Sequence, residues 1–497
     1  MTSRRRFVGA AATLALGASA TAARRRLAPA WADEPPGVRT IRLETREVLW
    51  ELAPGRTIRA MAYNGRIPGP EIRAREGERL RIVLTNALSE PTTIHWHGVD
   101  VPNAMDGVPG VTQKPVQPGE TFVYEFEARP AGTRWYHTHA TEHRQLDLGL
   151  AGPFVIEPAA PEPLPADREV TLVLDDWATG AGPALPPTRE GVAGGRGEPG
   201  GMMSGMMGRR GMGGMMGGRG MGGMMGGGRT PAYDTMTING KAWPATEPLR
   251  VRRGERLRLR LINASAEHTH VLRVAGHALR VTHADGNPLA APVEVDAIPI
   301  APSERYDALL HAERPGAWFL YCTQPGHADA GERLAITYPG HEGAAPAPPA
   351  LDVSGLRLWH YGLGRGRALP GVTPGAARTW DLTLGGGMMG SDRWTINGKV
   401  YPDTDPLRLR RGERARVRFV NMSPEAHPMH LHGQSFAVLG VNGARLPAPL
   451  VKDSVDVEAH MGSVVVEFAA HNLGDWLLHC HKPMHMEGGM MTLVTIR

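Results

Sequence analysis

Apolar and polar residues alternate in short runs along most of this chain, and the runs repeat. Arg256-Leu257-Arg258-Leu259-Arg260-Leu261 and Arg414-Ala415-Arg416-Val417-Arg418-Phe419 each place one set of side chains on one face and the other set opposite, the period of a half-buried strand. Each run is preceded by the same punctuation. Thr237-Ile238-Asn239-Gly240-Lys241 and Thr395-Ile396-Asn397-Gly398-Lys399 lead through a Pro-Leu-Arg step to Arg-Arg-Gly-Glu-Arg, at 252–256 and 410–414. Each strand then ends in Asn-x-Ser, at Asn263 and Asn421. A weaker copy starts at Tyr63-Asn64-Gly65 and runs through Glu76-Gly77-Glu78-Arg79 to Asn86. Further on, Trp318-Phe319-Leu320-Tyr321-Cys322-Thr323 mirrors Trp476-Leu477-Leu478-His479-Cys480-His481, with Trp135-Tyr136-His137-Thr138-His139 as the first copy. Three copies of short alternating strands parted by Gly/Pro turns predict an all-β chain of three Greek-key β-sandwich domains, at 38–160, 165–345 and 350–497.

The third copy carries the chemistry. His479-Cys480-His481 on a strand points the thiol to one face and both imidazoles to the other, so one strand can serve two metal sites a few bonds apart. Two His, one Cys and a distant, weak Met form the ligand set of an electron-transfer copper centre. Cys480, His485 and Met490 supply three of these, and His427-Pro428-Met429-His430-Leu431-His432 offers the missing His. Upstream, His95-Trp96-His97 and His137-Thr138-His139 are alternating pairs, each of which a strand presents on one face.

These four segments, in this order and over nearly the whole chain, resemble the four copper-binding motifs of the multicopper oxidases, the family of laccases and bacterial copper-efflux oxidases. The resemblance implies three cupredoxin-like domains and four copper ions. It assigns His427, Cys480, His485 and axial Met490 to a type 1 copper. His95 and His430 fall to a type 2 copper, and His97, His137, His139, His432, His479 and His481 to a type 3 pair. The implied reaction takes single electrons from a small reduced donor at the type 1 copper and reduces O2 to two waters at a cluster between domains one and three. Asp106, in Met105-Asp106-Gly107, matches a family acid that assists proton delivery, and Glu487 is a second, weaker acid. Two donor classes remain open, Cu(I) or phenol-like molecules, with Fe(II) and Mn(II) not separable from them. An alternative from a different class is a copper-sequestering protein.

Composition changes the picture in three places. The formal charge is +5, but residues 1–32 hold six Arg and no acid, so the remainder counts −1 and gives no argument for nucleic acid. Those residues, with Arg4-Arg5-Arg6-Phe7 before an Ala-rich stretch, resemble a twin-arginine export signal; a periplasmic or secreted monomer without a membrane anchor is expected. Residues 201–228 hold ten of the 23 Met among Gly and Arg, an inserted loop of soft thioethers suited to Cu(I). Finally, Cys322 and His327 keep the spacing of Cys480 and His485, but Glu332 stands where the axial Met is expected; Cys322 reads as a buried remnant thiol, with a second metal site as the alternative.

Overall fold

A computed structural model of the chain describes residues 37–180, 185, 231–367, 369, 377–387 and 391–497. The export-signal segment and the Met-rich insert lie outside the described residues.

The repeats fold into three two-sheet units. In the third, a six-stranded sheet packs on a five-stranded one ordered Leu407–Leu409, Met491–Ile496, Gly474–Cys480, His427–Leu431, Ser454–Val457. The second unit repeats this order with Leu249–Arg250, Arg333–Thr337, Ala317–Cys322, His270–Val274 and Ala297–Ile300. The first unit is smaller, two four-stranded sheets. In every unit the opening strand pairs parallel with a later one: Val38–Ala53 with Arg79–Asn86, Arg168–Trp177 with Glu255–Asn263, and Arg378–Gly386 with Arg414–Asn421. Such non-sequential neighbours are the Greek-key signature anticipated from the repeats. The Asn ending each repeat is buried and closes a corner: the side-chain amide of Asn421 donates to the carbonyls of Glu425 and Val457, as Asn263 does to those of His268 and Ile300.

Leu, Val and Ile of the alternating strands point inward. One continuous apolar cluster runs through the second and third units, including Leu259, Ile298, Trp359, Val466 and Trp476, while the first unit has its own core around Ile82, Trp96 and Phe154. A small apolar cluster joins the first unit to the second, Trp135, Leu146 and Ala151 against Val173, Ile262 and Ala264, and a buried polar knot ties all three units together. Arg305 of the second unit grips Asp453 of the third with both guanidinium nitrogens, at 2.6 Å each. Arg134 of the first unit donates to the Asp285 carbonyl at 2.6 Å and lies 3.5 Å from Asp453. Lys452 completes the knot against Asp285 and Glu304 at 3.0 and 2.9 Å. All of these side chains are buried. Removing one partner of a buried ion pair leaves an uncompensated charge, which is the costly direction. Arg305→Met is therefore expected to destabilise the protein by about 3–5 kcal/mol, read as a drop in the denaturant midpoint at unchanged slope; a loss below about 1 kcal/mol would mean the knot carries no structural weight.

Candidate metal centres

Strand register builds the site. In the first unit His95 lies opposite His137 across an antiparallel pair, and in the third His430 lies opposite His479, with Met429 opposite Cys480. Each His-x-His motif so delivers two imidazoles to one face, and the two faces meet between the units. Gly98 follows His97 because a side chain there, at φ +77°, would run into Asp453 and Arg305; Gly433 follows His432 because one there would run into Trp476.

The result is a cluster of eight buried imidazoles that includes three triads, the first two sharing His97: His95, His97 and His430; His97, His137 and His481; His139, His432 and His479. The sequence-predicted ligands of the first and third units all arrive here or at the neighbouring Cys480. Their outward nitrogens are spoken for. His95 Nδ1 donates to the Asp106 carbonyl at 2.8 Å, His430 Nδ1 to the Asp453 carbonyl at 2.8 Å, and His137 Nδ1 to that of Thr138 at 2.7 Å. His97 is turned the other way, its Nε2 held by Asp453 and Ser454 at 3.1 and 3.2 Å. Many inward nitrogens have no hydrogen-bond partner, namely Nε2 of His95, His137 and His430, Nδ1 of His97, and both nitrogens of His481, while Nε2 of His432 and His479 lie 2.9 Å apart. Buried polar atoms are ordinarily paired, so a wall of unpaired imidazole nitrogens fits a set of metal ions.

Burial and mutual repulsion hold these rings neutral. His97, His137, His139, His430, His432 and His481 all lie well below the ordinary imidazole range, with burial the first cause and neighbouring imidazoles the second or a lesser one. His479 is pushed down to about 4. Neutral imidazole is the form that ligates metal.

The second predicted site sits behind the same strand. Cys480 Sγ lies 3.5 Å from His427 Nδ1 and 3.6 Å from His485 Nδ1, and the two nitrogens are 3.0 Å apart, all buried. Ser423 fixes His427 through Nε2 at 2.7 Å. Trp394 stacks on His485 with ring centres 3.7 Å apart. Met490 is fully buried and its carbonyl accepts from the Cys480 amide at 3.1 Å. Burial pushes the Cys480 thiol up, so ionisation requires a bound cation.

The chain belongs to the multicopper oxidase family.

Multicopper oxidase family profiles match residues 44–161, 214–339 and 377–497. The multicopper oxidase MmcO of Mycobacterium tuberculosis is 33% identical over 466 residues, covering 88% of this chain and 83% of that protein. Copper resistance protein A homolog of Pseudomonas syringae pv. tomato is 28% identical and covers 88% and 89%. Among solved structures, a multi-copper oxidase from Pseudomonas thermotolerans aligns at a TM-score of 0.68 with 28% identity, over 93% of this chain and 99% of that one. The protein is accordingly a copper-binding oxidoreductase that uses O2 as acceptor, and its units are cupredoxin-like.

Of the two acids singled out from sequence, Asp106 is buried against the cluster of this multicopper oxidase, with Oδ2 2.9 Å from His432 Nδ1 and Oδ1 3.3 Å from His95 Nδ1. Glu487 is exposed and reaches none of the eight imidazoles; it accepts from the His143 amide at 3.1 Å and also pairs with the His143 ring. Another acid that reaches the rings is Glu142, which sequence reading passed over although it follows His139 by three residues. Its Oε1 is 3.4 Å from His139 Nε2 and 3.7 Å from His137 Nδ1. Burial raises its pKa well above the ordinary carboxylate value, and the charge of Glu487 adds to this. His485 and His427 are both buried. Trp394 and the loop carrying Glu425 cover the position; His485 Nε2 lies 3.2 Å from the Glu425 carboxylate, whose side chain is 40% exposed.

The depressed imidazoles have a thermodynamic consequence. In the unfolded chain they take up protons as pH falls through about 6.5, whereas in the folded protein they resist. The unfolded state then binds more protons, so stability rises with pH and is lost on acidification. Metal-free protein is expected to lose several degrees of Tm between pH 7 and pH 5, and the copper-loaded protein much less, by calorimetry on both forms; equal losses would mean the imidazoles are not neutral when empty.

Proposed function

We propose that the protein holds four copper ions and oxidises a small reduced donor, Cu(I) before phenols, at the expense of O2. The observation that carries the assignment is the shared strand: Cys480 belongs to the His427/His485 pocket while its neighbours His479 and His481 belong to two different triads of the imidazole cluster. On this reading His427, Cys480, His485 and Met490 hold the type 1 ion, His95 and His430 the type 2 ion, and two triads the type 3 pair: His97, His137, His481, and His139, His432, His479. Copper supplies one-electron redox chemistry and the place where O2 is reduced.

The chain's own residues do the rest. The Cys480 backbone is a short covalent link from its sulfur to both flanking imidazoles, and the Cys480 carbonyl accepts from His479 Nδ1 at 2.9 Å, which locks that ring's orientation. Asp106 orients His432 and His95 and offers a carboxylate where protons are consumed. Glu142 supplies a second carboxyl beside His139 and His137. A cleft of about 460 Å3, with Val108, His139, Leu477, Met486 and Glu487 in its wall, supports access of O2 and water to this side of the cluster.

Two features favour a cationic donor. Glu425 covers His485, and Lys482, which pairs with both Glu425 and Glu267, leaves one net negative charge there. The ten thioethers of residues 201–228 are soft ligands suited to Cu(I). An arginine-rich leader at residues 1–32 supports export to the periplasm or beyond, where Cu(I) oxidation would serve copper tolerance.

Two measurements test the reading. Cys480→Ser is expected to remove the intense blue absorption and lower donor oxidation by at least about a thousandfold; retention of either would move the electron-entry site elsewhere. Deleting residues 201–228 is expected to depress kcat/KM for Cu(I) by about tenfold or more with a small artificial dye little affected. Equal effects on both donors would remove Cu(I) from first place.

A further inference from the structure

The middle unit has its own copy of the strand and loop that form the Cys480 pocket. Cys322 ends strand Ala317–Cys322, His327 follows at the spacing of His485, and Glu332 at the spacing of Met490. The fourth residue, His270, begins strand His270–Val274, as His427 begins His427–Leu431. One donor atom from each of these four residues lies within 4.8 Å of the others, and all four are buried.

The correspondence with the third unit extends to the supports. Ser265 Oγ holds His270 Nε2 at 2.7 Å, as Ser423 holds His427, so both rings turn Nδ1 inward. His327 Nδ1 lies 3.4 Å from Cys322 Sγ, and Cys322 Sγ accepts the Val271 and Gln324 amides at 3.2 and 3.5 Å, two donors that would support a metal-bound thiolate. The new element is the carboxylate. Glu332 stands 2.7 Å from His270 Nδ1 and 3.2 Å from His327 Nδ1, aimed into the same space. Two imidazoles, a thiolate and a carboxylate in one dry pocket make a four-coordinate N2SO donor set, of the size and type that tetrahedral divalent ions take.

We propose that His270, Cys322, His327 and Glu332 form a further metal site, one that binds a divalent d-block cation, Zn(II) or Cu(II), in the middle unit. Glu332 decides the oxidation state. A thioether at that position suits Cu(I), whereas a carboxylate is hard and anionic. With the thiolate it brings the donor charge to −2, which a divalent ion neutralises and a monovalent ion does not. The site is therefore a holding site that ties the loop Thr323–Glu332 to the core, and not a second electron-entry point. Binding displaces the thiol proton of Cys322, which leaves to solvent as the S–metal bond forms; no oxidant or reductant is needed.

The test uses the full chain with one thiol left. Metal-free Cys480→Ser protein titrated with Co(II) is expected to show a thiolate-to-metal charge-transfer band and strong tetrahedral visible bands, saturating at one equivalent per chain and bleached by Zn(II). Adding Cys322→Ser should abolish both. If that variant does not fold, Glu332→Gln, which keeps the shape of the side chain, should weaken Co(II) binding at least tenfold. Elemental analysis of the protein as isolated then distinguishes Zn(II) from Cu(II) by which exceeds the count in the Cys322→Ser or Glu332→Gln protein. Absence of a charge-transfer band in Cys480→Ser, or Co(II) affinity unchanged by Glu332→Gln, overturns the proposal and leaves the four residues as a self-sufficient His–Glu ion pair beside a thiol.

Discussion

A carboxylate buried without compensation costs several kcal/mol, and Asp453 is buried where all three units meet. Arg305 supplies the compensating charge; burial alone would raise the Asp453 pKa, but the guanidinium holds it below the ordinary value. The same residue faces the metal cluster. Its side chain accepts from His97 of the first unit, and its carbonyl accepts from His430 of the third. Ring orientation at two of the eight imidazoles, in two different units, therefore rests on one residue anchored by a cation from the remaining unit. This gives the middle unit, which contributes nothing to the eight-imidazole cluster, a role in it: Arg305 is the strut that lets the other two units share a site.

That constraint explains why the cluster can be so poor in internal hydrogen bonds. Imidazoles whose inward nitrogens lack hydrogen-bond partners would spread apart if their carriers were free to move. They are instead clamped from outside by backbone carbonyls of Thr138, Asp106, Cys480 and Asp453, each close in sequence or register to a ligand. The carbonyl clamps fix the tautomer by accepting a hydrogen bond from the ring N–H and add no charge of their own, while the Asp453 and Asp106 carboxylates hold His97 and His432. Lys452, Arg134, Arg305 and Asp285 carry further charge one layer back.

Whatever depended on periodicity was legible in the sequence. The period of two put His479 and His481 on one face and Cys480 on the other, and the repeats pointed to the three-unit all-β architecture, though not to the parallel pairing of each opening strand. What escaped were contacts made by tertiary packing. Asp453 lies 23 positions beyond His430 and has no local mark in the sequence; only the pairing of Ser454–Val457 with His427–Leu431 brings it in. Trp394 reaches His485 across the sheets in the same way. Glu142 is different, since an acid three residues after His139 was a readable signal. Glu487, next but one to His485, drew attention by sequence proximity, yet the short helix Pro483–Glu487 turns it toward His143.

The strand that carries Cys480 has three copies, and comparing them shows what a metal-free version of that position looks like. In the first unit the middle residue of the triplet is Thr138. Its hydroxyl donates to Gln145 at 2.7 Å, Gln145 accepts from Thr92 at 2.8 Å, and the Gln145 amide goes on to Glu90 and to the Pro91 carbonyl. The position is filled by a set of hydrogen bonds that ends on the Glu90 carboxylate and a backbone carbonyl, so the buried polar groups are paired. The middle unit took another course. It kept the Cys and both His of the third unit's pocket and placed a carboxylate where the thioether stands. Burial and the Glu332 charge both push the Cys322 thiol up, while His270 and His327 hold Glu332 down at about 2. Every charged member of such a set adds desolvation cost when buried. Retention of four mutually aimed donors in a dry pocket is the arrangement that a cation repays.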